Sequence, residues 1–325
     1  MTILHLIDSI KPGGAENVMV NYIKVCNDLG YSSIIVGKPS SKDYEKSLSN
    51  IADIRYKLDI SLIGNSDAIF VHSNHSLLNL IRYKSLIKSQ STRIIYIQHL
   101  NYRPWKFRII SYFINSLCTD FIQITPIIEK AVETNIKIQV WKINNFYINK
   151  YLPEERDPIR KKIRAELGIN DNTCLVTFSA IFKPGKGLPD FIKLAEECKD
   201  DKNYHFLVIG DGDESSYVKN YTHPNLTWLG RQTDVEKYLI ASDRYIFTSR
   251  FALEMMPMAL IEAINVDLPC IAFPTDINNY LLNNSTFGTI NKEALEHHKL
   301  PKSKSLHHYN KEYGIKQLKA LLKDS

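Results

Sequence analysis

Two glutamates separated by seven residues, Glu254 and Glu262, are the strongest chemical signal in this sequence. The first stands in the loop after Ser249-Arg250. The second falls within 258–265, an amphipathic stretch that Pro257 is placed to start as a helix. A loop carboxylate there can reach sugar hydroxyls. A helical carboxylate can accept two hydrogen bonds from the vicinal hydroxyls of a ribose. The amides of Met258, Ala259 and Leu260, at the helix start, can cradle a phosphate. Carboxylates at this spacing recur by chance. The informative part is the context of strand, Ser-Arg loop, proline and helix.

Three further segments have the same strand–loop–helix grammar. In Phe178-Ser179-Ala180-Ile181-Phe182-Lys183-Pro184-Gly185-Lys186-Gly187 an apolar strand ends in a loop with two lysines. Lys186 is placed to neutralise a diphosphate, with Lys183 beside it; the alternative is a pair of solvated lysines. Gly210-Asp211-Gly212 after an apolar run marks a strand-to-turn transition, either structural or ligand-facing. Pro12-Gly13-Gly14 leads into a helix whose N-terminus can meet a phosphate, with Gly14 allowing close approach; it also reads as a plain tight turn. It is neither a G-x-G-x-x-G fingerprint nor a P-loop.

His72 and His99 each follow an apolar strand, and an imidazole at such an edge can bond a sugar hydroxyl or assist an acceptor. Each can equally be a satisfied core histidine. Just beyond His99, Arg103 and Trp105 open a stretch in which Trp105, Ile109, Tyr112 and Phe113 recur at helical spacing among basic residues. Such a helix either contributes to a core or lies on a membrane face and presents a lipid-linked acceptor.

The elements that must position these groups alternate in type. Short apolar runs at 3–7, 33–36, 68–72, 93–98 and 121–124, then at 175–179, 205–209, 226–229, 244–247 and 270–272, read as strands. Helical patterns lie at 14–29, 159–167, 187–198, 233–241, 258–265 and 309–323. This is an α/β pattern with parallel sheets. The length of 325 residues suits two domains. A polar connector with Pro153 and Pro158 puts the boundary near 150–165. The domains expected are 1–155, binding acceptor, and 156–305, binding nucleotide sugar. The segment 306–325 is expected as a C-terminal helix packing back on the first domain, and 298–308 as a basic surface loop.

Residues 1–150 hold 18 Lys/Arg against 11 Asp/Glu, and residues 151–325 hold 23 against 24. The positive excess is therefore confined to the first half, which favours an anionic partner there, such as a membrane surface or lipid-linked phosphate; ordinary solubility charge is the alternative. The charge is diffuse and carries no nucleic-acid-binding module. The five cysteines are scattered, without a Cys-x-x-Cys pair, and read as buried thiols. No apolar run has the length to span a bilayer, and Met1 leads straight into strand-like sequence. A cytoplasmic location, peripheral on the membrane face, is the expectation.

Taken together and in order, Pro12-Gly13-Gly14-Ala15-Glu16, Lys186-Gly187, Ile209-Gly210-Asp211-Gly212, Leu229-Gly230 and Glu254 through Glu262 resemble the retaining GT-B glycosyltransferases with a Glu-x7-Glu motif, glycosyltransferase family four. The resemblance implies two Rossmann-like doubly wound domains facing an interdomain cleft. It implies that Glu254 contacts the donor sugar, Glu262 the ribose and Lys186 the diphosphate. Arg231, after Gly230, would lie near the nucleobase, and His99 would face the donor sugar and acceptor. The activity implied is transfer of a hexose with retention, from a UDP-sugar ahead of a GDP-sugar. The acceptor implied is a glycan, lipid-linked, in surface polysaccharide synthesis such as O-antigen or capsule. The front-face mechanism that the resemblance implies uses the leaving diphosphate rather than a metal, so no metal site and no cofactor are expected. Ala180 and Ile181 stand where the family carries Gly-Arg, so its diphosphate arginine is absent. A nucleotide-sugar epimerase on the same fold and a non-catalytic nucleotide-sugar- or glycan-binding protein are the rival readings.

Overall fold

The structure is a computed structural model that describes the chain apart from residues 12, 90–91, 251–253, 297–308 and 324–325. Pro12 of the first glycine motif, residues 251–253 of the glutamate loop, the basic tract at 298–308 and the expected boundary at 305–306 lie outside the described residues. The chain forms two compact units. The first holds Met1–Phe146, the segment 254–258 and the C-terminal helix; the second runs from Tyr147 through 250 and continues from Ala259.

Among the described residues, the first unit has seven strands: β1 Thr2–Ile10, β2 Ser32–Pro39, β3 Asp53–Arg55, β4 Ala68–Val71, β5 Arg93–Ile97, β6 Asp120–Gln123 and β7 Gln139–Lys142. They pair in the order β3-β2-β1-β4-β5-β6-β7, every pair parallel. Parallel pairing requires a crossover between neighbours, and helices on both faces bury the central strands. That is why β4 has no exposed residue and reads as an unbroken apolar run. The edge strands β3 and β7 lack this signature: they are polar, partly exposed and only three and four residues long. The C-terminal helix Lys311–Lys323 packs in this unit against the helix Gly14–Asp28. Tyr313 Oη accepts from the Asn144 amide at 2.9 Å, and the Leu321 carbonyl accepts from Arg93.

The second unit has five described strands: β8 Cys174–Phe182, β9 Tyr204–Gly212, β10 Leu226–Trp228, β11 Arg244–Phe247 and β12 Cys270–Ala272, ordered β10-β9-β8-β11-β12 and all parallel. Its core is aromatic: Phe178, Phe182, Phe191 and Phe206 are buried against Leu188, Leu194 and Ile246. The charged helix runs Arg156–Glu166, earlier than its apolar residues alone suggest. Pro158 falls in its first turns, where a missing N–H leaves no helical bond broken. Arg164 on this helix is buried. It donates to the carbonyls of Asn170, Thr173 and Ala241 and to Asp243 Oδ2, fastening the helix to the sheet.

Both sheets reverse strand order at their first strand, between β1 and β4 in one and between β8 and β11 in the other. The loops that leave adjacent strands in opposite directions open a crevice at the carboxyl ends at such a point. The segments singled out by sequence leave these strands or their immediate neighbours.

Candidate functional site

At the reversal in the second sheet, the lysine loop follows β8 and Thr248-Ser249-Arg250 follows β11. Gly187 joins them. Its φ is +83°, a conformation that disfavours any side chain, and a Cβ there would lie 2.5 Å from both Cβ and Oγ1 of Thr248. Thr248 Oγ1 donates to the Gly187 carbonyl at 2.8 Å, and the Arg250 amide donates to the Gly185 carbonyl at 2.8 Å. The Arg250 guanidinium sits 3.6 Å from the Phe273 ring centroid and 2.5 Å from Asp190 Oδ2. The loop is thus fixed from both flanks, and Lys183 and Lys186 ride on it, each half-buried. Met258, Ala259 and Leu260 form the first turn of the helix Met258–Asn265. Glu262 on that helix is 9% exposed. Its charge, after burial, is the largest cause holding the Tyr147 hydroxyl far above its ordinary range. Glu254 is half-buried, and the segment 254–258 belongs by its contacts to the first unit, where Asn145 Nδ2 donates to the Met256 carbonyl at 3.1 Å. The sequence reading placed both glutamates on the nucleotide-sugar domain.

Gly210 has a structural reason to be glycine. It lies within β9 at φ +130°, and a Cβ would overlap the Ala180 carbonyl of β8. Its amide donates to the Gly230 carbonyl at 2.8 Å and its carbonyl accepts from Trp228 Nε1 at 2.9 Å. These bonds hold the Gly230-Arg231 turn beside the end of β9, with Arg231 exposed.

In the first unit, β1 leads through Gly13-Gly14 into the helix Gly14–Asp28. A Cβ on Gly14 would meet nothing within 4 Å, so the backbone is open to an approaching group there. Glu16 in the first turn is buried, which raises its carboxyl above the ordinary value, while a bond from its own backbone acts in the opposite direction. The helix end therefore already faces a carboxyl of its own chain.

His72 is not where an acceptor can reach it: it is 4% exposed, and both ring nitrogens are engaged, with His5 Nδ1 at 3.2 Å and His99 Nε2 at 3.3 Å. Only His99, beyond the end of β5, is half-exposed. Burial lowers its pKa to about 4 and that of His5 to about 3, so these rings are neutral near pH 7. Sequence reasoning missed His5 because it sits inside an apolar strand.

Arg103 is exposed and precedes the helix Pro104–Leu117. On that helix Trp105, Ile109 and Tyr112 are 57%, 55% and 70% exposed, whereas Phe107, Ile110 and Ile114 are buried. The outward face is thus apolar, with Lys106 Nζ 5.4 Å from the Trp105 ring centroid. These three residues are therefore not part of the core.

A cavity of about 520 Å³, unforeseen from sequence, opens where β1 and β2 end. Asp8, Lys57, His75 and Arg82 line it, and Asp8 accepts from Ser73 Oγ at 2.8 Å and Ser76 Oγ at 3.0 Å. Lys57 follows β3, Asp8 lies in β1, His75 in the helix Asn74–Asn79 and Arg82 in the 3-10 helix Leu80–Tyr83, so no local pattern announces them together.

Comparison with known proteins agrees with this architecture. The UDP-Gal:alpha-D-GlcNAc-diphosphoundecaprenol alpha-1,3-galactosyltransferase of Escherichia coli is 30% identical over 155 residues, 45% of this chain and 39% of that protein. The alpha-galactosylglucosyldiacylglycerol synthase of Streptococcus pneumoniae is 25% identical over 146 residues, 42% of this chain and 38% of that one. The match thus spans about two fifths of the length of these relatives. Among solved structures, Anabaena HepE in complex with UDP and glucose superposes over 100% of both chains with a TM-score of 0.77 at 16% identity. That likeness shows the fold, GT-B with two parallel α/β units. Residues 159–321 match the family described as Glycosyl transferases group 1, which is half of the sequence, and the chain belongs to that family.

Proposed function

We propose that this chain is a retaining glycosyltransferase that moves a hexose from a UDP-sugar to a lipid-linked glycan. The observation that carries the reading is the lysine loop at the reversal of the second sheet, clamped through Gly187 and Thr248 in a member of this family. A cation fixed in advance needs no reorganisation as the diphosphate departs. In this mechanism Lys186, with Lys183, takes up the charge of the leaving group, and the leaving oxygen helps deprotonate the acceptor hydroxyl on the same face of the sugar. Glu262 holds the ribose, Arg231 lies by the base, Glu254 holds the donor sugar and His99 bonds a sugar hydroxyl. We assign no metal to this chemistry.

Two observations support the acceptor side. The cavity at Asp8, Lys57, His75 and Arg82 offers two exposed cations and hydrogen-bonding groups suited to a saccharide bearing phosphate. The exposed Trp105, Ile109 and Tyr112, flanked by Arg103, Lys106 and Arg108, suit the interface of an anionic bilayer. No helix among the described residues is long and apolar enough to cross a membrane, so attachment through this face would be peripheral. The names of the two curated relatives point to UDP-galactose and to lipid-borne sugars, which sets the first donor and acceptor to try.

The test is turnover. Purified protein is incubated with a panel of UDP- and GDP-hexoses and a polyprenyl-diphosphate saccharide, and nucleoside diphosphate release is followed with and without EDTA. The product's anomeric configuration is read by NMR. Acceptor-dependent UDP release that survives EDTA and is lost in Glu254→Ala supports the reading. Inversion at the anomeric carbon, restoration only by manganese, or conversion of donor without acceptor would each reject a part of it.

A further inference from the structure

Three histidines cross the first sheet on a diagonal. His5 on β1 is the register partner of Phe70 on β4, and His72 lies two residues beyond Phe70. Val71 is the partner of Tyr96 on β5, so His99 again lies two residues beyond the position opposite His72. Residues two apart on a strand share a face, so all three rings project from the same side of the sheet. The nitrogens meet at 3.2 Å and 3.3 Å, the ring centroids are 5.5 Å apart at both steps, and the planes differ by only 23° and 12°. The excess of centroid over nitrogen separation is taken up by one ring radius at each end. The rings therefore meet edge to edge in nearly one plane, the geometry of N–H···N bonds rather than of face stacking.

A neutral imidazole has one donor and one acceptor nitrogen. Two such bonds in series couple the three tautomers: the proton stands on Nδ1 in every ring or on Nε2 in every ring. The inner end decides between them. His5 Nε2 is buried with no hydrogen-bond partner, and the ring lies nearly parallel to Phe70 at 5.3 Å. An orphaned buried N–H is rarer in proteins than an under-satisfied acceptor, so this nitrogen carries the lone pair.

We propose that His5, His72 and His99 form one directed chain of neutral imidazoles, each protonated on Nδ1, and that this chain fixes His99 as a hydrogen-bond donor through its outward Nδ1–H. His5 and His72 are then positioning residues. They set the tautomer and ring plane of His99 from inside the core, and the wire ends at a buried nitrogen, so it orients and does not conduct protons. The consequence for transfer rests on the reading that His99 meets the donor sugar: it donates to a sugar oxygen and is not the base that activates the acceptor. The tautomer itself does not depend on that reading.

The test is histidine-selective 15N NMR of the full chain at neutral pH, without substrate. Three rings with a protonated Nδ1 and a bare Nε2 are expected, the opposite of the Nε2–H form that histidine favours in water. An Nε2–H tautomer at His99 overturns the proposal. In His5→Phe, which keeps an aromatic ring beside Phe70, His99 is expected to become a tautomer mixture. Its kcat is expected to fall roughly tenfold, with the donor KM changed far less. A His99 tautomer unchanged in that variant means the inner ring serves packing alone, and the proposal fails. Should the tautomers be as stated while no glycosyl transfer is found with any donor, the functional reading fails and the chain stands.

Discussion

Gly187 is the position where a single methyl group tests how the donor side is built. Alanine at φ +83° enters the left-handed region, which costs about 1–2 kcal/mol. The loss of freedom in the unfolded chain offsets about 0.4–1 kcal/mol of that. The added Cβ also lies 2.5 Å from Thr248 Cβ and Oγ1, well inside contact distance, and against the carbonyl of the same residue. Thr248 is the residue after β11 and is itself bonded to the Gly187 carbonyl, so it cannot withdraw alone; overpacking of this kind costs about 1–3 kcal/mol. The total expected is about 2–4 kcal/mol. Gly230 supplies the control, since it has φ +65° but open space around it, and Gly230→Ala should cost only about 1 kcal/mol, the left-handed penalty less the chain-entropy offset. At about 2–4 °C per kcal/mol, the two variants should separate clearly in melting temperature. Trp228 lies in the second unit, so its fluorescence in a Trp105→Phe, Trp141→Phe background reports on that unit. UDP affinity measured by calorimetry should fall in Gly187→Ala as well, because the strain is relieved by moving the loop that bears Lys186. Equal destabilisation in the two glycine variants, or Gly187→Ala with wild-type melting and UDP affinity, would refute the claim that contact with Thr248 fixes the loop.

Lys186→Ala should weaken UDP binding by about 1.5–3 kcal/mol, the range for a hydrogen bond to a charged group, and unchanged calorimetric affinity would remove its phosphate role. Acid should destabilise the first unit through its buried imidazoles. Their folded pKa values are lowered by burial, to about 3 for His5, to about 4 for His99 and well below the ordinary value for His72. The unfolded chain protonates near 6.5 while the native rings do not, so stability is full above that value and falls toward pH 4. The loss is about 1.4 kcal/mol per pH unit per ring, and His5→Phe should make denaturation curves measurably shallower in pH. Trp105→Ala with Tyr112→Ala should reduce sedimentation with phosphatidylglycerol vesicles while leaving the melting temperature unchanged, since both side chains are mostly exposed; binding equal to wild type would exclude this face as the attachment.

The central strands and the main helices were legible because burial leaves a one-dimensional trace. Strands 244–247 and 270–272 and helix 258–265 have the bounds their apolar runs suggest. The edge strands β3 and β7 left no such trace, because a strand paired on one side and wet on the other needs few apolar residues. The glycine-bearing turns were legible as turns, but their reasons were not. Gly187 answers to Thr248, 61 residues away, and Gly210 to Ala180 on the neighbouring strand. Partners so far apart in sequence are set by the sheet order, which no local pattern encodes. The same holds for His5, whose chemistry exists only because β4 and β5 place His72 and His99 on its diagonal.

The two sheets handle charge in opposite ways at their reversals. At the second, cations are carried on a loop whose backbone is pinned, Gly185 to Arg250 and Gly187 to Thr248, so the backbone that bears them is held without a ligand. At the first, the rings nearest the strand ends are stripped of charge by burial, and the cations Lys57 and Arg82 stand to one side of them, around the cavity. A diphosphate is anionic before and after transfer, and a fixed cation serves it throughout. A sugar hydroxyl is neutral and needs direction more than charge. An oriented neutral imidazole provides that direction, and a protonated one would add a charge that the buried sheet cannot solvate. Under the proposed function, the charged loop suits the diphosphate and the neutral ladder suits a sugar hydroxyl.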